Sequence, residues 1–203
     1  MSAAVRKAAQ YAQVDALLGE RNSQRSIVWL TGVARMPIAK RIKKAALPSP
    51  PLPPLPPRRS AKAQRKRWEV LERDELWRFV GRRKRKVWLW LVVERTRRRI
   101  VGWTLGSRDE APLRKLWQAL PAHYRRHCWR FTNQWKAYAR VLLRWQHRPC
   151  PKGAGQTSLV EASNCSLRQR CGVLVRKSCS FSKSLAMHTA QTKIVIANDN
   201  LTL

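Results

Sequence analysis

Apolar positions recur at helical spacing between residues 10 and 45. Leu17 and Leu18 close a first short pattern, Ile27, Val28 and Leu30 line a second helix, and Val33, Ile38 and Ile42 carry a third. Gly32 stands at the turn, and Pro37 falls near the start of the third helix, where a missing amide hydrogen costs little. The Val28–Gly32–Ile38 spacing predicts a helix-turn-helix; a generic helical hairpin is the plainer alternative. Residues 46–58, ALPSPPLPPLPPR, then read as an extended, semi-rigid spacer, followed by a basic run, RRSAKAQRKR, over 58–67.

From Trp68 the pattern changes to period two. Val70–Val80, Val87–Val93 and Ile100–Gly106 predict three consecutive strands. Glu110–Leu120 predicts a helix with Leu113, Leu116, Trp117 and Leu120 on one face. His127–Thr132 reads as a fourth strand, and Trp135–Trp145 and Ser158–Leu174 as helices. Thr192–Ala197 alternates only weakly, and Asn198–Leu203 reads as loose chain. Meandering strands followed by helix, strand and helices predict an α/β layer fold with a mixed sheet, preceded by a small all-α module.

Charge narrows the partner. The 203-residue chain holds Lys+Arg 43 against Asp+Glu 11, a formal net charge of +32. Self-repulsion on this scale calls for a polyanion, and nucleic acid is the expected partner because each phosphate contact releases counterions. A basic structural protein with no reactive site is the competing class, and Trp 10 argues against a simple basic tail. The five cysteines, Cys128, Cys150, Cys165, Cys171 and Cys179, are odd in number and have no CxxC spacing. They read as idle reduced thiols rather than a zinc or disulfide set. No apolar run is long enough to span a bilayer and the first residues lack a signal core, so a cytoplasmic, nucleoid-associated protein with no membrane partner is expected.

Three residues carry the candidate chemistry. Asp74 lies within the first predicted strand, Asn133 directly follows the fourth, and Glu161 lies on a later helix. A carboxylate in a strand centre is costly unless it is paired or binds a cation. Three carboxylates converging from a strand, a strand end and a crossing helix hold two Mg²⁺ ions for phosphoryl transfer. The spacing alone fits equally a salt-bridged Asp74 and a Glu161 on an ordinary helix face near Arg168.

From Trp68 to Ser184 the chain resembles the transposases of the insertion-sequence-one family. LERDELWRFVG with WLWLVVERTRRRIVG is similar to their first-Asp strand and hairpin. FTNQWKAYARVL resembles their second-Asp block, with Thr132, Trp135 and Tyr138 matching and Asn133 at the Asp position. SLVEASNCSLRQR resembles their Glu helix through Glu161, Asn164, Leu167, Arg168 and Gln169, and Arg176, Lys177, Ser180, Phe181, Ser182 and Lys183 match the block that follows.

This resemblance implies an RNase H-like domain over 68–190, a helix-turn-helix module over 10–45, a linker over 46–67 and a poorly defined tail over 191–203. It implies a transposase that binds terminal inverted repeats and cleaves and joins DNA strands with Mg²⁺ or Mn²⁺. Asp74, Asn133 and Glu161 would be the catalytic and metal-binding residues. Arg35, Lys40, Arg41, Lys43, Lys44, Arg168, Arg176, Lys177 and Lys183 are the expected DNA contacts. The partners are double-stranded DNA, at element ends and target, and further copies of the chain.

The chain also departs from the pattern. Asn133 brings an amide oxygen but no negative charge, Leu159 stands in place of a His before the Glu, and Ala162 in place of a basic residue after it. No cysteine precedes Cys128, and the segment after His188 is poor in aromatics. These departures imply a degenerate or truncated copy, and the alternative function is a catalytically impaired DNA-binding relative.

Overall fold

The computed structural model describes residues 2–46, 69–151, 153–175 and 180–201. The proline-rich and basic linker, Arg176, Lys177 and Cys179 lie outside the described residues. The chain divides into two compact units: residues 1–49, 77–86 and 165–203 form one, and residues 50–76 and 87–164 the other.

The first unit is built on three helices, α1 (Ala3–Leu18), α2 (Gln24–Thr31) and α3 (Arg35–Ala46). Gly32 ends α2 at φ 67°, a left-handed conformation that costs glycine little, and donates its N–H to the Val28 carbonyl. Val14, Ile27, Val33, Ile38, Ile42 and Ala190 form its buried core. Ala190 belongs to a long final helix, α8 (Leu185–Leu201), which packs on α3. The segment that reads as weakly alternating and then loose is therefore helical as far as Leu201. Its buried stripe carries His188, Thr192, Asp199 and Asn200 among Ala190, Val195 and Ile196, so polar residues blur the apolar period.

The second unit holds most of a five-stranded sheet ordered β3-β2-β1-β4-β5. The strands are β1 (Glu69–Phe79), β2 (Lys86–Glu94), β3 (Arg99–Gly106), β4 (Cys128–Thr132) and β5 (His147–Pro149). The β2–β3 pair is antiparallel, whereas β1–β4 and β4–β5 are parallel, so the sheet is mixed. Residues 69–76 of β1 belong to this unit, and its last three residues to the first. Three helices, α4 (Glu110–Ala119), α5 (Ala122–Arg126) and α6 (Lys136–Val141), accompany the sheet. Leu113, Leu116, Leu120, Tyr124, Ala137, Tyr138 and Leu142 pack with Leu71, Trp90, Val92 and Cys128 from the strands. Gly102 permits the close approach, since a Cβ there would stand 2.7 Å from a Leu120 methyl. A last helix, α7 (Ser158–Arg170), starts in this unit.

Candidate acidic site at β1, β4 and α7

The alternation of β1 places Glu72 and Asp74 on one face and Arg73 and Glu75 on the other. Parallel register pairs Arg73 with Thr132, so Asn133, the next residue on β4's path, comes level with Asp74. Its side-chain Nδ2 donates to Asp74 Oδ1 at 3.3 Å and to Glu75 Oε2 at 3.2 Å. Its Oδ1 accepts the Trp135 N–H at 3.1 Å. This orientation follows from the partners: only the amide nitrogen can donate to carboxylates, and only the amide oxygen can accept from a backbone N–H.

Helix α7 supplies the remaining groups. Glu161 lies in its first turn, exposed, and Thr157 Oγ1 donates to Glu161 Oε1 at 2.9 Å. Asn164, three residues on and therefore on the same helix face, donates to Asp74 Oδ2 at 2.7 Å. Burial, then the nearby carboxylates of Glu75 and Glu161, push the Asp74 carboxyl up to about 6, despite the Asn164 hydrogen bond. Asn133 is thus bonded to Asp74, while Glu161, bonded to Thr157, acts on Asp74 through its charge.

The start of α7 is tied down by a residue the sequence reading did not single out. Glu72, fully buried, accepts the Leu159 and Val160 N–H groups on Oε2 at 2.9 and 3.1 Å. Its Oε1 pairs with Arg95 Nε at 2.6 Å. A carboxylate at a helix start answers both the unpaired amides and the positive end of the helix dipole. The alternation of LERDELW, which puts Glu72 on the Asp74 face, is the signal that finds it. Glu75 and Tyr138 complete the support: Glu75 Oε2 accepts from the Tyr138 hydroxyl at 2.9 Å and Oε1 from Arg108 at 2.7 Å.

A divalent cation beside Asp74 and Glu161 would offset the burial, and then the Glu75 and Glu161 charges, that raise Asp74. Asn133 does not suit it as it stands, because its oxygen faces Trp135 and its N–H groups face the carboxylates. Among the described residues no group of three or more His, Cys, Asp or Glu side chains is placed to hold a metal ion.

The expected DNA contacts lie in the first unit. On α3, Ile38 and Ile42 are buried while Lys40, Lys43 and Lys44 are exposed on the opposite side. Arg35 is exposed beside Gln24, with Nε 3.4 Å from its Oε1. Arg41 is committed to Asp15, Nε to Oδ1 at 2.6 Å, so α3 does not present it freely. Arg168 is half-buried on α7, and Lys183 is exposed before α8.

The family model described as IS1 transposase matches residues 69–199. The chain belongs to the IS1 transposase family. It is 36% identical over 117 residues to the insertion element IS1 protein InsB of Shigella flexneri, which covers 58% of this chain and 86% of that relative. It is 34% identical over the same length to the insertion element IS1 4 protein InsB of Escherichia coli (strain K12), covering 67% of that protein. The matched region contains Asp74, Asn133 and Glu161. No helix among the described residues is long and apolar enough to cross a membrane.

Proposed function

We propose that this IS1-family chain binds the terminal inverted repeats of an insertion element and catalyses metal-dependent cleavage and transfer of DNA strands on an RNase H-like fold. The reading is supported by the hydrogen bond from Asn133 to Asp74 and by the Glu161 charge acting on Asp74, all within the family-matched segment. Asp74 and Glu161 are the carboxylates that hold Mg²⁺ or Mn²⁺. A divalent cation there supplies Lewis-acid activation of the attacking oxygen and charge for the leaving one. Asn164 and Asn133 hold Asp74 in place from two sides, and Glu72 fixes the start of the helix that carries Glu161. Asn133 joins the ligand set only by releasing Trp135 and turning its oxygen inward.

Helices α2 and α3, joined through Gly32, act as the helix-turn-helix that finds the element ends. Lys40, Lys43 and Lys44 contact phosphates, with Arg35, Arg168 and Lys183 adding to them, and Arg176 and Lys177 extending the basic set. Arg41 reaches DNA only by leaving Asp15. The active form is a homo-oligomer on paired ends, working in the bacterial cytoplasm on nucleoid DNA. The second reading, a DNA-binding relative impaired in catalysis, has one observation in its favour: the Asn133 oxygen is turned away from Asp74.

The test is nicking of a labelled element end with Mg²⁺ or Mn²⁺, comparing the natural chain with Asn133→Asp and Glu161→Ala. Nicking by the natural chain, reduced at least ~10³-fold in Glu161→Ala, supports the transposase reading. Nicking by Asn133→Asp alone, with both proteins binding DNA, supports the second reading. Nicking that survives Glu161→Ala overturns the assigned site.

A further inference from the structure

The side of the sheet opposite Asp74 contains two arginines without acidic partners. Arg73 on β1 and Arg130 on β4 are 1% and 0% exposed. All three Arg73 side-chain nitrogens, and Nε and Nη1 of Arg130, are buried without a hydrogen-bond acceptor. Arg130 Nη2 alone reaches a partner, the Arg125 carbonyl. Both guanidiniums lie against one indole, Trp117 of α4, at 5.0 and 4.2 Å from its centroid.

They share a face by register. Arg73 pairs with Thr132 and Arg130 with His147, and paired residues of parallel strands point the same way. Glu75, the acid on the same face of β1, is taken up by Asn133, Tyr138 and Arg108, and Thr132 and His147 supply no charge. Thr132 Oγ1 is shared between His147 and the Asn133 carbonyl. His147 is kept neutral at pH 7, its pKa pushed down to about 4 by burial and by Arg73, Arg130 and Arg148. Cation–π contact compensates only part of the desolvation of a guanidinium. Five unpaired donors from two neighbouring cations therefore call for an acceptor-only, negatively charged group.

We propose that Arg73 and Arg130 form a buried site for a small oxyanion with the chemistry of phosphate. A tetrahedral oxyanion offers lone pairs in several directions and meets both guanidinium forks at once. Burial under α4 favours a free inorganic ion over a phosphate of the DNA backbone.

The experiment is thermal unfolding of the full chain during titration with inorganic phosphate at constant ionic strength, with a duplex oligonucleotide as a second ligand. The natural chain is compared with Arg73→Met and Arg130→Met, which keep a long apolar stem, and with Lys84→Ala, an exposed lysine outside both sites, as a surface control. The expected result is a saturable rise in Tm of about 5–10 °C at a hundredfold excess over Kd. The rise survives in Lys84→Ala and is lost in both methionine variants, which are more stable than the natural chain without phosphate. Should a methionine variant fail to fold, Arg73→Lys, which keeps the charge but breaks the fork, should weaken the phosphate response about tenfold. An unchanged response in the methionine or lysine variants assigns phosphate to the basic surface and overturns the site. An Arg73-dependent response to duplex but not to phosphate overturns the free ion as the ligand, and no response to either overturns the proposal.

Discussion

Asp74 and Arg73 are chain neighbours on β1, yet their surroundings are opposites. Asp74 receives amide hydrogens from Asn133 and Asn164, arriving from β4's end and from α7. Arg73 meets the Trp117 ring and no acceptor. The carboxylate face is lined by short side chains that bring donors, whereas the guanidinium face is lined by Leu71, Leu116 and Tyr138, chosen for packing. A buried acid can be satisfied by neutral amides. A buried guanidinium needs acceptors, which an apolar helix-on-sheet layer lacks. Under the two proposals, the faces differ in what would come from outside: a cation for the carboxylates and an anion for the arginines.

The largest test of the acidic face is Glu72→Ala. It removes the acceptor of two α7 amides and the acidic partner of Arg95, which keeps the Gln156 carbonyl, and should cost about 2–4 kcal/mol in denaturant unfolding. A loss below about 1 kcal/mol would mean that water replaces the carboxylate and that α7 is held by packing alone.

A smaller effect should come from pH. The folded Asp74 carboxyl titrates at about 6 against 3.8 for the unreacted side chain, so the folded state binds its proton more tightly. Its contribution to stability is full below pH 3.8 and is lost as pH rises through 6. Asp74→Asn should therefore gain on the natural chain across that window, and the difference should level off above about pH 7, when both are unfolded without divalent cations. A flat difference across the window would show that Asp74 is raised neither by burial nor by the Glu75 and Glu161 charges.

The smallest effect belongs to Arg108→Ala. Arg108 pairs with the buried Glu75 and stacks on Trp88 and Trp135, but its side chain is 43% exposed. Solvent screening limits the loss to about 1 kcal/mol, read from the shift in urea midpoint. A loss several times larger would make Arg108 the counter-charge that the acidic face depends on.

Much of the sheet was legible because Val87–Val93 and Ile100–Gly106 alternate over enough residues to define a period. The observed β2 and β3 differ from those bounds by a residue or so. Helix α5 and strand β5, five and three residues long, are too short to display a period, and both went unread. Trp135–Trp145 shortened to Lys136–Val141 because the chain turns at Leu142, which is extended at ψ 144°. Helix α8 was hidden by Ile194, Val195 and Ile196, three β-branched residues in a row that favour strands locally until tertiary packing decides. At the site, Asp74, Asn133 and Glu161 were singled out from their frames, and their catalytic role is a proposal. The partners of Asp74 were not legible: which way the Asn133 amide turns depends on Trp135 and Glu75, and neither constraint exists until the sheet has formed.

The Glu72 grip on α7 also has a mechanical meaning. A helix clamped at its first amides behaves as a lever with its pivot at one end. Glu161 stands one residue beyond the clamped Val160 amide, on the short arm, while residues 165–170 ride the long one. Fraying or tilting at the far end is therefore attenuated before it reaches the carboxylate. The position of Glu161 is inherited from the strand that carries Asp74.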